Sequence, residues 1–192
     1  MARLHKLGYS ADPVRRSWAT KSKAMRHIIG ILLQNEAGAL ARVAGMFSSR
    51  GYNIESLSVA PTDDPTVSRL TLVTTGSDAV MLQITNQLNK LIDVVRIDNM
   101  TRGEHVEREL VLAKFRVDPA RRDALRGYVV RTGGRVLDPS TDSFIVELLG
   151  SEAEVNGFLH EVAAHGELLE VVRSGALGIS RNARALRLVT PP

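Results

Sequence analysis

His27-Ile28-Ile29-Gly30-Ile31-Leu32-Leu33, then Gln34-Asn35-Glu36-Ala37-Gly38, then Ala39-Leu40-Ala41-Arg42-Val43-Ala44-Gly45-Met46-Phe47 is the stretch that decides the fold. Its first part is continuously apolar and of strand length, as a buried strand is. Its second part is a polar break containing a glycine. In the third, Leu40, Val43, Ala44 and Phe47 fall at i, i+3, i+4 and i+7, the apolar stripe of an amphipathic helix. Gly51 lies just past that stripe, where a helix ends most easily on a residue free to take positive φ.

Working outward, Ile54 to Ala60 alternates, with Leu57 and Val59 on one face and Ser56 and Ser58 on the other. Pro61-Thr62-Asp63-Asp64-Pro65 is turn chemistry, and Val67 to Thr75 is a second alternating strand that makes a hairpin with the first. Gly76-Ser77 opens a helix with Val80, Ile84, Leu88 and Leu91 inward, and Val94 to Ile97 closes the unit as a strand. The order is β-α-β-β-α-β, and it recurs. Val111, Ala113, Phe115 and Val117 alternate; Asp118-Pro119 starts a helix with proline where its missing N–H costs least. Leu125, Tyr128 and Val129 form that helix's inner face and Gly133-Gly134 ends it. Two strands, Arg135 to Asp138 and Phe144 to Leu149, flank a Pro139–Asp142 turn. Ser151 and Glu154 have capping-box spacing ahead of Val155, Phe158, Leu159 and Val162. Leu168 to Val172 reads as the last strand, and Gly175 to Arg184 as irregular chain.

The pattern predicts an α+β protein of two ferredoxin-like βαββαβ units, residues 25–100 and 106–184, joined by the polar link Thr101 to His105. Each unit carries its helices on one face of its sheet, so the other face needs a cover, either a second unit or a second chain. A homodimer at least is expected.

Composition narrows the function. The chain has 192 residues, 44% hydrophobic and 24% charged, as a folded chain of one or two small domains has. With no cysteine, disulfides, thiolate metal sites and a cysteine nucleophile are excluded, and a reducing, cytoplasmic compartment is expected. No apolar run approaches the roughly 20 residues of a membrane-spanning helix. The net charge of +4 sits mostly in residues 1–24, where Arg3, Lys6, Arg15, Arg16, Lys21 and Lys23 face only Asp12; the remaining 19 basic and 20 acidic residues leave the body at −1. A nucleic-acid face belongs on the folded body, so none is expected. The tail is acid-poor, as transit peptides are, yet short and interrupted by Pro13; it reads as a basic, disordered extension, with Met25 as an alternative start.

Catalytic constellations are missing. Asp63-Asp64 is the only adjacent acid pair and lies in a turn between prolines. His5, His27, His105, His160 and His165 share no i, i+3 or i, i+4 spacing, so no helix-borne metal site is implied. No nucleophile elbow, Walker loop or dinucleotide fingerprint occurs. The arginine series Arg121, Arg122, Arg126, Arg131 and Arg135 lacks the strand aromatics that single-strand binders stack on; 54–60 and 67–75 contain none.

The informative segment is Asn35 to Leu40. A small-residue loop there opens a helix, where free backbone N–H groups and the positive end of the helix dipole suit a carboxylate. Gly38 allows close approach to the backbone. Asn35 carries both a donor and an acceptor, a plausible match for an amino-acid zwitterion. Plain helix capping by Asn and Gly explains the same residues, and both readings stand at this point.

The stretches 35–43, Phe47-Ser48-Ser49-Arg50-Gly51-Tyr52-Asn53-Ile54-Glu55-Ser56-Leu57 and Val59-Ala60-Pro61-Thr62 closely resemble the regulatory small subunit of acetohydroxyacid (acetolactate) synthase. Ser68-Arg69-Leu70-Thr71, Gln87 to Leu91, Val106 to Leu110 and Arg173-Ser174-Gly175 continue the resemblance, which covers roughly Met25 to Arg184. It implies that the first unit is an ACT domain binding a branched-chain amino acid, usually valine, at a dimer interface. Asn35, Ala37, Gly38, Ala39 and Leu40 match the effector loop, and Asn53 and Ile54 match the segment from the facing subunit. It further implies a non-catalytic chain that activates a catalytic large subunit, the bearer of thiamine diphosphate, magnesium and FAD, and makes it feedback-sensitive. Ser58 stands where many relatives have Thr. A stand-alone double-ACT sensor would share the loop. A ferredoxin-like acylphosphatase would need an arginine in a phosphate-cradling loop, where this chain has Glu36.

Overall fold

The computed structural model describes residues 25–140, 143–181 and 185–188; the extension at 1–24 and part of the turn before Phe144 lie outside them. The first unit runs β1 (Met25–Gln34), α1 (Ala39–Ser49), β2 (Ser56–Pro61), β3 (Val67–Gly76), α2 (Asp78–Leu88) and β4 (Val94–Asn99). Its antiparallel sheet has the order β2-β3-β1-β4. β1 is central and buried along most of its length because its two faces meet different covers. Ile29, Ile31 and Leu33 pack with Leu70 and Leu72 under Val43, Met46 and Phe47 of α1 and Met81, Ile84 and Leu88 of α2. Val43 and Phe47 of α1 and Ile84 and Leu88 of α2 are buried as expected, joined by Ala39, Met46 and Met81; Leu40, Ala44 and Val80 are half-buried, and Leu91 packs on the core from beyond the end of α2.

The second unit runs β5 (His105–Arg116), a 3₁₀ turn at Pro119–Arg121 leading into α3 (Arg122–Arg131), β6 (Arg135–Asp138), β7 (Phe144–Gly150), α4 (Glu152–Ala163), β8 (Glu167–Arg173) and β9 (Leu177–Ser180). Its strand order β6-β7-β5-β8 repeats that of the first unit. Val111, Ala113 and Phe115 pack with Phe144, Val146 and Leu148 against Leu125 and Val129 of α3 and Val155, Phe158 and Val162 of α4. Asp118 caps the proline turn by accepting from the Ala120 N–H at 2.8 Å. The capping box forms: Ser151 Oγ accepts from the Glu154 N–H, and the Glu154 carboxylate accepts from the Ser151 N–H at 2.7 Å.

Two expectations need correction. β8 is not the last strand: the stretch expected to be irregular contains β9, which pairs antiparallel with His105–Arg108 of β5. β5 therefore starts at His105, inside the expected link, because its first four residues have a partner that strand periodicity alone does not reveal. Of the two covers expected for the open face of the first sheet, a second unit or a second chain, the structure supplies the first, from the same chain. Ala176, just before β9, packs on Ile28, Val73 and Met100, and the Arg69 guanidinium on that face donates to the Gly178 carbonyl at 3.0 Å. Further on, Ala185 O accepts from Arg96. Outside these contacts, β8 is exposed along its whole length.

Candidate effector site

The loop between β1 and α1 is held from both sides by backbone. Gln34 N–H donates to the Asp93 carbonyl and Asn35 N–H to the Thr66 carbonyl, each at 2.8 Å. The Asn35 side chain is committed as well: Nδ2 donates to Pro65 O at 3.0 Å and Oδ1 accepts from Ser68 Oγ at 3.1 Å. Asn35 thus fastens the loop to the β2–β3 turn. The turn itself is closed by Asp64, whose carboxylate accepts from Thr66 N–H and Oγ1; those bonds hold its pKa below the ordinary value. The Asp63-Asp64 pair is therefore a structural turn.

Gly38 is the N-cap of α1 at φ 88°, ψ −12°, in the left-handed region that glycine enters without a Cβ penalty. No side chain caps the helix, and its first turn holds no acidic residue. Ala39 N–H turns back to Glu36 O and Arg42 N–H to Gly38 O; among the described residues no backbone carbonyl accepts from Leu40 or Ala41 N–H. Asn35, Glu36, Ala37 and Gly38 are exposed, Ala39 is buried and Leu40 half-buried. Beside them is a cleft of about 240 Å³ bounded by Asn35, Ala39, Leu40, Val59, Pro61 and Ser68. Its wall is largely aliphatic, from Ala39, Leu40, Val59 and Pro61; Glu36 also borders it, while Ala37 and Gly38 lie in the loop outside its lining.

Two residues that the sequence reading did not single out shape this loop. Arg42 Nε and Nη2 donate to the two oxygens of Asp93 at 2.5 and 2.6 Å. Asp93 is 3% exposed, and the Arg42 hydrogen bonds hold its carboxyl below the usual carboxylate range. A pair 51 residues apart leaves no periodic signal.

Asn53 and Ile54 are not brought to this cleft within one chain. β2 and β1 both run antiparallel to β3, so β2 begins at the end of the sheet opposite the Asn35–Gly38 loop. Asn53 O accepts from Thr74 Oγ1 at 2.6 Å, its side chain is exposed, and Ile54 packs on the edge of the first core. β2 is an edge strand. Among the described residues no group of three or more His, Asp or Glu is placed to hold a metal, and no helix is long and apolar enough to cross a membrane.

A βαββαβ sheet with a bare, glycine-started helix beside an unpaired edge strand defines the class: an ACT-type module, here followed by a second unit of the same topology. The matches to known families agree. Residues 29–96 match the AHAS small subunit-like ACT domain, and residues 108–182 match the small subunit of acetolactate synthase. The chain is 44% identical over 163 residues to the acetolactate synthase isozyme 3 small subunit of Escherichia coli (strain K12), covering 85% of this chain and 100% of that protein. It is 45% identical over 157 residues to the acetolactate synthase small subunit of Haemophilus influenzae, covering 82% and 96%. The crystal structure of the acetolactate synthase small subunit from Thermotoga maritima superposes with a TM-score of 0.75 at 29% identity, covering 83% of this chain and 99% of that one. The chain belongs to the acetolactate synthase small subunits, regulatory and non-catalytic proteins of branched-chain amino acid biosynthesis.

Proposed function

We propose that this chain binds and activates a catalytic large subunit of acetolactate synthase and makes it subject to feedback by a branched-chain amino acid, valine foremost. Thiamine diphosphate, magnesium and FAD belong to the large subunit, the complex works in the cytoplasm, and neither nucleic acid nor membrane is a partner. Gly38 and its neighbours receive the effector carboxylate on backbone N–H groups, with Ala39 and Leu40 forming the wall beside it and Ala37 in the loop just ahead. Asn53 and Ile54 come from the facing subunit of a homodimer, and Asn35 holds the loop in place.

The observation that supports this reading is the uncapped, glycine-started α1, whose first residues Ala39 and Leu40 border a cleft shared with β2. The position of Asn53 supports the dimer. Two copies paired antiparallel along their β2 edges would lay the start of one β2 beside the end of the other, and so beside the other's Asn35–Gly38 loop. An effector then bridges the two copies, and it alters activity as far as it binds two states of the complex differently. Calorimetry of the chain with valine, leucine and isoleucine tests it: saturable binding with valine tightest is expected, and heat of dilution alone for all three would overturn it.

A further inference from the structure

Arg173-Ser174-Gly175 belongs to the sequence resemblance, yet it lies outside the effector cleft. Its surroundings give it a task. Arg173 donates through Nε and Nη2 to both oxygens of Glu109 at 2.8 and 2.6 Å, and through Nη1 to Asn156 Oδ1 at 2.9 Å. Ser174 exchanges two hydrogen bonds with Leu110: its N–H donates to Leu110 O, and its Oγ accepts from Leu110 N–H, both at 3.0 Å. The turn is thereby rigidly part of the second unit. Gly175 then takes φ 76°, and the chain crosses to the first unit. Ala176 N–H donates to Ser56 Oγ at 2.9 Å, and the Ala176 methyl is buried against Ile28, Val73 and Met100. A Cβ on Gly175 would stand 2.5 Å from Ser56 Oγ.

Ser56 is the first residue of β2, and Asn53 and Ile54 lie just ahead of it. Glu55 N–H donates to Val73 O at 2.9 Å, and Val73 is Ser56's partner in the β2–β3 ladder. The proposed effector segment and the second unit are thus separated by Glu55, Ser56 and one side-chain hydrogen bond. Beside this contact is a cleft of about 390 Å³, bounded by Arg26, Glu55, Glu109, Glu152, Arg173 and Ser174 among others. Most of its charged groups have partners. Arg26 pairs with Glu107 and Glu152, Arg173 with Glu109, and Glu55 accepts from Thr75 Oγ1. The cleft lies alongside the Ser56–Gly175 contact, where the two units meet.

We infer that Ser56 and the Arg173–Gly175 turn form the joint that couples effector occupancy at Asn53–Ile54 to the second unit. Ser56 is a positioning residue: it touches no effector, and its hydroxyl fixes where Ala176, and with it the turn and β9, sits on the first sheet. This inference rests on the function proposed above. Packed units respond to a ligand by moving between discrete arrangements, and a coupling claim needs a test that separates binding from transmission.

The test uses the full chain reconstituted with its large subunit, comparing wild type, Ser56→Ala, Gly175→Ala and the double variant. Three quantities are read: effector affinity of the isolated chain by calorimetry, maximal activation without effector, and residual activity at saturating valine. The joint predicts that Ser56→Ala keeps affinity within roughly threefold and keeps activation, while the effector's influence on activity falls at least about fivefold, within the span typical of allosteric coupling. Gly175→Ala gives the same loss, its added methyl being driven into Ser56 Oγ. The double variant loses less than the two single losses combined, since both act on one contact. Ser56→Thr, which keeps the hydroxyl, restores inhibition. If Gly175→Ala does not fold, the Ser56 pair decides alone. Full inhibition of Ser56→Ala at saturating valine would overturn the joint while leaving the effector site intact. Failure of wild type to bind any branched-chain amino acid would instead overturn the function on which the joint rests.

Discussion

Arg42, one turn into α1, grips both oxygens of Asp93, at the far end of the first unit just before β4, at 2.5 and 2.6 Å. The grip closes a ring around the Asn35–Gly38 loop. Asp93 O also accepts from Gln34 N–H, the last residue of β1, so one residue anchors the loop's start through its backbone and its helix through its side chain. A two-pronged guanidinium–carboxylate contact fixes orientation as well as distance.

That arrangement makes the loop sensitive to acid. The Asp93 pKa is lowered in the folded protein, so its contribution to stability is fully present above the unfolded value of about 3.9. The contribution is lost as pH falls through the depressed folded value. Asp93→Asn should therefore melt below wild type at pH 7, and the gap should close as pH drops below about 4. Thermal melts of both proteins from pH 7 to pH 2.5 check this; a gap that does not change with pH would contradict it.

Gly38→Asp should abolish effector binding by two routes. It puts a carboxylate where the effector carboxylate belongs, and it forces a side chain onto φ 88°. A loss of about 3 kcal/mol would weaken valine roughly a hundredfold. Activation of the large subunit should persist, because the loop is proposed to read the effector and not to contact the large subunit. Gly38→Ala, without the charge, should lie between wild type and Gly38→Asp. Calorimetry and a valine activity titration check the order of the three.

How much of this was legible in the sequence depended on whether the signal was local. The β1–loop–α1 stretch showed itself by its change of period, and the capping box at Ser151 by its spacing. β9 did not, because Leu177-Gly178-Ile179-Ser180 is short, glycine-bearing and paired with a strand about 70 residues away. Asn35 was legible as a helix cap or a ligand group, but not as the fastener that donates to Pro65 and accepts from Ser68, partners 30 and 33 residues on. Arg42 and Asp93 each look like ordinary surface charges until the fold sets them face to face.

Ser151→Ala should destabilise the second unit without touching the effector cleft. It removes the hydroxyl that accepts from the Glu154 N–H and donates to its carboxylate. The expected cost is about 1 kcal/mol, typical for a lost serine cap. Urea unfolding should show a lower midpoint, with valine affinity by calorimetry unchanged.

A chain beginning at Met25 should fold, bind valine and respond to it as the full chain does. Residues 1–24 carry six basic side chains and no apolar stripe with which to dock. Loss of effector response in the shortened protein would show that the extension takes part in regulation.

The most direct test is reconstitution. Acetolactate formation from pyruvate is followed for the large subunit alone, for this chain alone, and for the two together across a valine titration. The chain alone should give no product, the pair should turn over faster than the large subunit alone, and valine should return the pair toward the lower rate. A pair no faster than the large subunit alone and indifferent to valine, leucine and isoleucine would contradict the account.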